Sequence, residues 1–319
     1  MTSSYALRLL CLSLAVLFLV HLSVALAVTM CAPAMVRRAE RWRAAAAARM
    51  MLALRLLPAA SALFVVLAIC IPSYLRLEPE GMEEEIGIGC LALAAMGAAA
   101  WGFSLARTAR VMLRSMRCVR AWRSRRSEAV IAGSRLWIID GAGDGAGPTL
   151  AMAGIFRPKL IVSREIIESL PADQLAAALR HERAHANAWD NFKRLLMLIA
   201  PGAGLFPEVD RAWARFTEWA ADDRASEGDA NRPVSFAAAL VSVARMGPAP
   251  VPPLATALTA NAADLQVRVE RLLRERDESR PAPAAWIAGC LLTAGALAML
   301  AFQPATLSVA HAILERLVD

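Results

Sequence analysis

The sequence predicts a mainly α-helical membrane protein that also contains a small β-sheet. Hydrophobic residues make up 58% of its 319 residues, charged residues make up 20%, and four apolar stretches stand apart from one long polar segment. This composition is too apolar for an ordinary soluble domain and too charged for a chain that lies wholly in lipid. We therefore expect four transmembrane helices, with a folded polar domain between the third and the fourth.

The four apolar stretches each approach the length that a helix needs to cross the hydrocarbon layer, about 20 residues. They are residues 9–30, 56–75, 86–106 and 284–302. A cleaved signal peptide is the alternative for the first stretch, but its apolar part is longer than a signal needs and an arginine cluster follows it. We therefore predict a three-helix membrane region over residues 1–106, a fourth membrane helix, and a short extracytoplasmic tail over residues 303–319.

The distribution of arginine predicts how these helices are oriented, because cytoplasmic loops carry an excess of Lys and Arg. The loop between the second and third stretches is acidic, with five glutamates between Glu78 and Glu85. Arginines instead crowd both ends of the polar segment, from Arg107 to Arg126 and from Arg268 to Arg280. We predict a multi-pass protein of a bacterial inner (plasma) membrane, with a cytosolic domain over residues 107–283 and both termini extracytoplasmic.

Charge and cysteine usage exclude two other classes of protein. The net charge is +7, but the arginines gather beside the predicted membrane helices, where anionic lipid headgroups account for them. We therefore expect contacts with membrane lipids and no direct binding of nucleic acid. The cysteines lie within or near the apolar stretches and form no Cys-x-x-Cys pair, which argues against a disulfide framework and a cysteine zinc site.

The polar segment begins as a basic helix and continues with a small sheet. Short strand-like runs occur at Arg135–Asp140, Thr149–Phe156 and Leu160–Ser163, separated by turn residues. The glycine-rich run Gly141–Gly147 lacks the Gly-Lys-Ser/Thr ending of a phosphate loop, so we predict a hairpin loop there.

The second half of the polar segment has helical periodicity. One helix is predicted from Pro171 to about Pro201, and a second from Pro207 to about Ser226, since proline often occupies the first helical position. A proline-rich loop over Met246–Leu254 and a helix over Asp264–Glu275 complete the segment.

The first of these helices contains the sequence His181-Glu182-Arg183-Ala184-His185. Two histidines four residues apart share one helix face, so that both imidazoles can bind one metal ion, while the adjacent glutamate reaches the remaining water ligand. This pattern predicts a zinc site with Glu182 as the general base. The alternative is a pair of solvated helix histidines with no metal.

A catalytic zinc ion usually has three protein ligands, so one more is required. The other histidines, His21 and His311, lie in a predicted membrane helix and in the outer tail. On the second helix, Glu218 shares a face with small residues that permit close packing on the first helix. Those small residues are Ala214, Ala221 and Ala225. We predict Glu218 as the third ligand and Asp222, four residues on, as a hydrogen-bond partner of one histidine. Asp223 faces elsewhere. The alternative is that Glu218 and Asp222 are solvated surface carboxylates.

A zinc ion held in this way predicts peptide hydrolysis. The metal lowers the pKa of its water, Glu182 takes the proton, the hydroxide attacks the peptide carbonyl, and Glu182 returns the proton to the leaving amine. An extended substrate would be aligned by a free strand edge, for which Thr149–Phe156 is the candidate.

Several segments resemble the BlaR/MecR-type integral-membrane zinc metallopeptidases, the antirepressor signal transducers of the beta-lactam response. They are FRPKLIVSREII before the motif, LRHERAHANAWDN at it, EWAAD as its partner, and LQVRVERLL before the last apolar stretch. The order of three membrane helices, cytosolic domain and fourth helix is also similar.

The resemblance implies a gluzincin-like (zincin) fold, with His181, His185 and Glu218 as zinc ligands, Glu182 as base and Asp222 as their support. It also implies regulatory cleavage of the protein itself or of a cytosolic transcriptional repressor.

The sequence departs from this family pattern in two ways. Only Gln303–Asp319 follow the last stretch, in place of a penicillin-binding sensor domain, and no acylating Ser-x-x-Lys motif occurs, so direct beta-lactam sensing is not expected. Arg183 occupies a position that is commonly apolar.

Two other functions compete with a regulatory endopeptidase. One is a quality-control membrane protease similar to the HtpX and prenyl-protein protease group, which shares the HExxH and Glu-x-x-x-Asp pattern. The other is a membrane signalling scaffold with a vestigial site, against which the intact Glu182 argues.

Overall fold

The computed structural model describes most of the chain up to residue 274. The described ranges are residues 3–77, 86–140, 149–228, 231–247, 254–258 and 265–274, with isolated residues beyond 300. The predicted fourth membrane helix over residues 284–302, most of the acidic loop, the glycine run and most of the tail lie outside these ranges.

Long apolar helices form the first third of the protein. They are α1 (Ser3–Ala39), α2 (Ala44–Val65), a π-helical turn (Val66–Cys70), α3 (Ile71–Leu77) and α4 (Ile88–Ser124). Three continuous segments, residues 5–39, 44–77 and 88–124, are long and apolar enough to cross a membrane. They contain the first three predicted stretches, apart from the first two residues of the third. The predicted basic helix is the second half of α4.

The sheet has five strands in the described part of the chain: β1 (Arg126–Ile131), β2 (Ser134–Ile139), β3 (Leu150–Ala153), β4 (Lys159–Ser163) and β5 (Ala255–Ala257). Their order is β1-β2-β4-β3-β5, and only β2 and β4 pair in parallel. A two-residue turn of Ala132 and Gly133, both with positive φ, joins β1 to β2, as tight hairpins require. The small mixed sheet confirms the predicted fold class at this level.

Two predictions about the sheet are wrong. The strands before and after the glycine run, β2 and β3, do not form the predicted hairpin, because β4 lies between them in the sheet. The predicted strand Thr149–Phe156 is also not a free edge, because β5 pairs with β3 residue by residue from Ala151 to Ala153. The residues before β5 are predicted to form a loop. Strand β5 itself has three residues, which are too few to show the alternating pattern of a strand.

Helices of the polar domain surround the sheet. They are α5 (Arg164–Ser169), α6 (Ala172–Asn187), α7 (Asp190–Ile199), α8 (Pro207–Ala225), α9 (Arg232–Arg245) and α10 (Leu265–Leu273). The second predicted helix corresponds to α8, with Pro207 at its start. The first is broken into α6 and α7, because Trp189 adopts the left-handed conformation with φ 59°.

Two clusters of buried residues hold the domain in place. One lies between the sheet and α6, α8 and α9, and includes Ile166, Leu179, Phe236, Leu240 and Leu258. The other joins α8 to the membrane-length helices α1 and α2; its members include Ala25, Met51, Phe206, Trp213 and Phe216. Helix α8 therefore has two packed faces, one toward the sheet domain and one toward the membrane helices.

Candidate metal centre

Both histidines of the HExxH sequence lie on the buried face of α6. His181 and His185 are almost completely inaccessible to solvent, and their Nε2 atoms are 3.1 Å apart. Their rings meet nearly at right angles, and Phe236 of α9 stacks on the His181 ring. The helical period brings the two rings together, while the apolar cluster below fixes their rotamers.

Glu218 of α8 completes the group. Its Oε2 atom lies 3.5 Å from His181 Nε2, and its Oε1 atom lies 3.6 Å from His185 Nε2. Ala221 and Ala225, on the same side of α8, are fully buried, so small side chains let α8 approach α6 closely. In the described part of the chain, these are the three residues whose ligand atoms gather closely enough to hold a metal ion.

The spacing of these atoms fits a tetrahedral ion. With bonds of 2.0–2.1 Å from zinc to its nitrogen and oxygen ligands, neighbouring ligand atoms in a tetrahedron are about 3.3 Å apart. The two Nε2 atoms are 3.1 Å apart, and each lies 3.5 or 3.6 Å from a different oxygen of Glu218. One ligand atom from each of the three residues lies within 4.8 Å of the other two, which is close enough for all three to bind one ion after a small adjustment. The residues present therefore suit a His2Glu zinc site with a fourth position for water or substrate.

Each imidazole has a carboxylate at its other nitrogen. His181 Nδ1 lies 3.0 Å from Asp222 Oδ1, and His185 Nδ1 lies 2.8 Å from Asp190 Oδ2. Such partners fix the ring orientation of a metal-binding histidine and increase the basicity of the nitrogen that faces the metal. Both Nε2 atoms are thereby directed into the site.

Asp190 reaches His185 because of the turn at Trp189. The left-handed residue ends α6 and reverses the chain within one step, so that the first residue of α7 lies beside the last turn of α6. The next residue, Asn191, donates to the carbonyl oxygens of Met152 and Gly154 and so attaches the start of α7 to the sheet.

Arg268 of α10 binds two carboxylates of α8, Asp222 and Glu218. Its Nε and Nη2 atoms donate to Asp222 at 2.9 and 2.6 Å, and its Nη1 lies 3.2 Å from Glu218 Oε2. Nη1 also donates to the carbonyl of Leu258, just after β5. The paired geometry is the bidentate arrangement that makes Arg–carboxylate contacts specific. Arg268 thus holds the side chains of Asp222 and Glu218 in position.

The cluster has a negative balance suited to a divalent cation. It contains four carboxylates, Glu182, Asp190, Glu218 and Asp222, against two cationic side chains, Lys193 and Arg268. With neutral imidazoles the sum is two negative charges, which a dication would neutralise. A buried charge of this size is costly when it has no counter-ion.

The charges of the site residues shift one another's pKa values. Burial lowers the pKa of His185, but the attraction of Glu218 and the contact with Asp190 outweigh it and raise this pKa from 6.5 to about 10. Burial would raise the pKa of Glu218, yet the two imidazoles and Arg268 hold it well below its ordinary value. The pKa of Asp222 is lowered, against burial, mainly by Arg268. The imidazoles, the carboxylates and Arg268 therefore form one cluster of mutually attracting charges.

Glu182 is fully buried on α6, beside His181. Its negative charge contributes to the raised pKa of both His185 and Arg268. Arg183, the departure noted in the sequence, points away and donates to Ser134 Oγ at the start of β2. The arginine is therefore a link between α6 and the sheet, outside the ligand group.

No family model and no curated protein sequence matches this chain. The account of the site therefore depends on its residues and their geometry.

The sequence predicts a site of His181, Glu182, His185, Glu218 and Asp222. The structure brings His181, His185, Glu218 and Asp222 into contact and buries Glu182 next to His181 in the chain. Sequence reasoning missed Asp190 and Arg268. Asp190 had a detectable signal, since an aspartate that directly follows the end of a histidine-bearing helix can fold back on it. Arg268 had none, because it is 46 residues from Asp222 and is brought there by the tertiary fold.

Proposed function

We propose that this protein is a membrane-embedded zinc metalloendopeptidase. The observation that carries the proposal is the convergence of His181, His185 and Glu218, whose ligand atoms lie within 4.8 Å of one another, next to a buried Glu182. Three protein ligands, rather than four, are typical of catalytic zinc sites, because the fourth position is kept for water or substrate.

Zinc bound there supplies Lewis acidity, which lowers the pKa of water and polarises a peptide carbonyl. Glu182 then acts as the general base: it accepts the proton of the attacking water and returns it to the nitrogen of the leaving amine. Asp190 and Asp222 hold the two imidazoles in the tautomer that presents Nε2 to the metal. Arg268 keeps Asp222 ionised and limits the movement of Glu218.

We further infer that the substrate is a protein or peptide, either this chain itself or a cytosolic transcriptional repressor, and that cleavage is regulatory. Support comes from the packing of the peptidase domain onto the helices of membrane length, because such a domain acts where a membrane signal arrives. The arginine distribution supports a cytosolic position of the domain, and we infer that the membrane is a bacterial inner membrane.

The test is metal content and cleavage by the full-length chain purified in detergent. The wild type is compared with Glu182→Gln, and with Glu168→Gln as a matched control, since Glu168 is an exposed glutamate on α5. We expect about one zinc per chain in all three proteins, and hydrolysis of itself or of peptide libraries that is lost by at least a hundredfold only in Glu182→Gln.

Two outcomes would contradict the proposal. A wild type that binds no stoichiometric metal would exclude the metallopeptidase and favour a scaffold. A Glu182→Gln protein that cleaves as fast as wild type would remove Glu182 from the mechanism. General degradation of misfolded membrane proteins, rather than discrete cleavage, would favour a quality-control protease.

A further inference from the structure

Helix α2 contributes a buried arginine to the polar domain. Arg55 is 2% exposed and donates to the carbonyl oxygens of Met197 at 3.2 Å, Ala200 at 3.4 Å and Pro201 at 3.2 Å. Its Nε also donates to Asp210 Oδ1 at 3.1 Å. A guanidinium removed from water so completely is stable only because its donors have partners. Arg55 therefore fixes α2 to two helices of the domain at once.

Helix α4 supplies a second contact at the same place. Ser104 Oγ lies 2.8 Å from the carbonyl oxygen of Leu198 and 3.0 Å from that of Ile199. The last carbonyls of a helix have no partner within the helix and must find one elsewhere. From residue 197 to residue 201, every carbonyl oxygen at the end of α7 is bonded by Arg55 of α2 or Ser104 of α4.

The same two helices carry residues of the metal site farther from Arg55. Helix α7 starts at Asp190, which binds His185 Nδ1, and ten residues span only about 15 Å. Helix α8 carries Asp210 in its first turn and Glu218 two turns later. Short helices move as rigid rods, so a shift at their membrane ends is transmitted to Asp190 and Glu218.

We propose that Arg55 is a positioning residue for the metal centre: by joining α2 to the ends of α7 and α8, it makes the ligand geometry depend on the position of the membrane helices. The inference rests on the proposed zinc site. We infer in addition that a displacement of α2 relative to α4 changes the geometry of the metal ligands. Arg55 itself touches no ligand and acts through Asp190 and Glu218.

The apolar packing around this link supports the same path. One buried cluster contains Met51, one turn before Arg55 on α2, together with Phe206 at the start of α8 and Trp213 within α8. The Arg55 guanidinium lies 4.8 Å from the centre of the Phe206 ring. Close-packed interiors transmit displacement rather than absorb it. Movement of α2 therefore carries α8 with it.

The experiment measures the affinity of the full-length protein in detergent for Co²⁺, whose visible absorption also reports ligand geometry. Arg55→Gln is compared with Ser104→Ala and with Arg49→Gln, a matched control because Arg49 is an exposed arginine on the same helix. We expect Arg55→Gln to weaken Co²⁺ binding about tenfold and to alter the absorption spectrum, which is within the range for residues that couple to a distant site. Ser104→Ala should weaken binding about threefold, as the loss of one ordinary hydrogen bond does, and Arg49→Gln should bind as wild type does.

A double variant separates positioning from general stability. If Arg55 acts through α7 and Asp190, the Arg55→Gln/Asp190→Asn protein loses less affinity than the product of the two single losses, since both changes disturb one path. If Arg55 only stabilises the fold, the losses multiply.

The outcomes distinguish this inference from the proposed function. A wild type that binds no Co²⁺ overturns the zinc site itself. A wild type that binds Co²⁺, with Arg55→Gln unchanged in affinity and spectrum or with multiplying losses, overturns only the positioning role. If Arg55→Gln does not fold, unchanged binding by Ser104→Ala overturns it instead.

Discussion

His185 uses its two ring nitrogens for different purposes. Nε2 faces the candidate metal position and Nδ1 bonds Asp190, whose other oxygen receives Lys193 at 2.8 Å. The aspartate thus selects the tautomer that can bind a metal. This role makes Asp190 as informative a target as the ligands themselves.

We predict that Asp190→Asn weakens zinc affinity by about 10–100-fold, because an amide orients the imidazole less firmly than a carboxylate and leaves the ring less basic. Competition with a zinc-binding dye measures the change. Asp223→Asn is the control, since Asp223 pairs with Arg271 on the outer side of α8. Equal zinc affinities in Asp190→Asn and wild type would show that the contact has no part in metal binding.

The raised pKa of His185 predicts how the metal-free protein responds to pH. This pKa is about 10 in the folded state, against 6.5 in the unfolded state, so the protonated imidazole stabilises the fold. The contribution is complete below pH 6.5 and is lost as the pH rises toward 10. With a chelator present, we expect the thermal unfolding midpoint to fall between pH 7 and pH 9.5, and the fall to be smaller in His185→Gln. A midpoint that is constant or increases over this range would contradict the assigned network.

Arg268 and Arg271 provide a matched pair of arginines on α10. Arg268 is almost fully buried against Glu218 and Asp222, whereas Arg271 and its partner Asp223 remain 30% and 40% exposed. Loss of one partner from a buried ion pair costs about 3–5 kcal/mol, and loss of an exposed one about 1 kcal/mol or less.

We therefore predict that Arg268→Gln lowers the free energy of unfolding by about 3 kcal/mol or more and also weakens zinc binding, while Arg271→Gln has little effect on either. Chemical denaturation in detergent, with and without zinc, checks both quantities. If the two variants were equally stable, Arg268 would not be the buried counter-charge of Glu218 and Asp222.

Helices α1 and α4 approach each other closely at Gly97. A Cβ atom at Gly97 would collide with the carbonyl oxygen of Leu14, whereas one at Gly102, on the same helix, would meet nothing within 4 Å. Close backbone approach at small residues is how helices pack in lipid.

We predict that Gly97→Ala destabilises the packing of α1 on α4 by about 1–3 kcal/mol, the usual cost of overfilling a packed interior. Gly102→Ala should be neutral or slightly stabilising, because alanine favours a helix more than glycine does. Thermal aggregation in detergent compares the two. A Gly97→Ala protein at least as stable as Gly102→Ala would contradict the close approach.

Elements with a long, strong pattern were predictable from the sequence, and those that depend on a single residue or on distant pairing were not. Helix α8 follows from Pro207 and its small-residue face, and the first three membrane-length helices follow from apolar length. The break at Trp189 was missed, because a tryptophan with positive φ is stabilised only by its tertiary setting. Strand β5 was missed for a similar reason, since β3 supplies its pairing.

In the described part of the chain, the polar domain and the membrane-length helices form one packed unit. The cluster on α8 joins them through apolar contacts, and Arg55 and Ser104 join them through polar ones. The candidate site is therefore built between elements that a membrane signal can reach. The regulatory function that we propose follows from this arrangement.

The central claim is that His181, His185 and Glu218 together bind one zinc ion. X-ray absorption spectroscopy of the zinc-loaded, full-length protein tests it most directly. We predict one zinc per chain with only nitrogen and oxygen ligands at about 2.0–2.2 Å, including the outer-shell scattering of two imidazoles. Sulfur scattering at about 2.3 Å, or zinc that is bound equally well by His181→Ala/His185→Ala, would contradict the account.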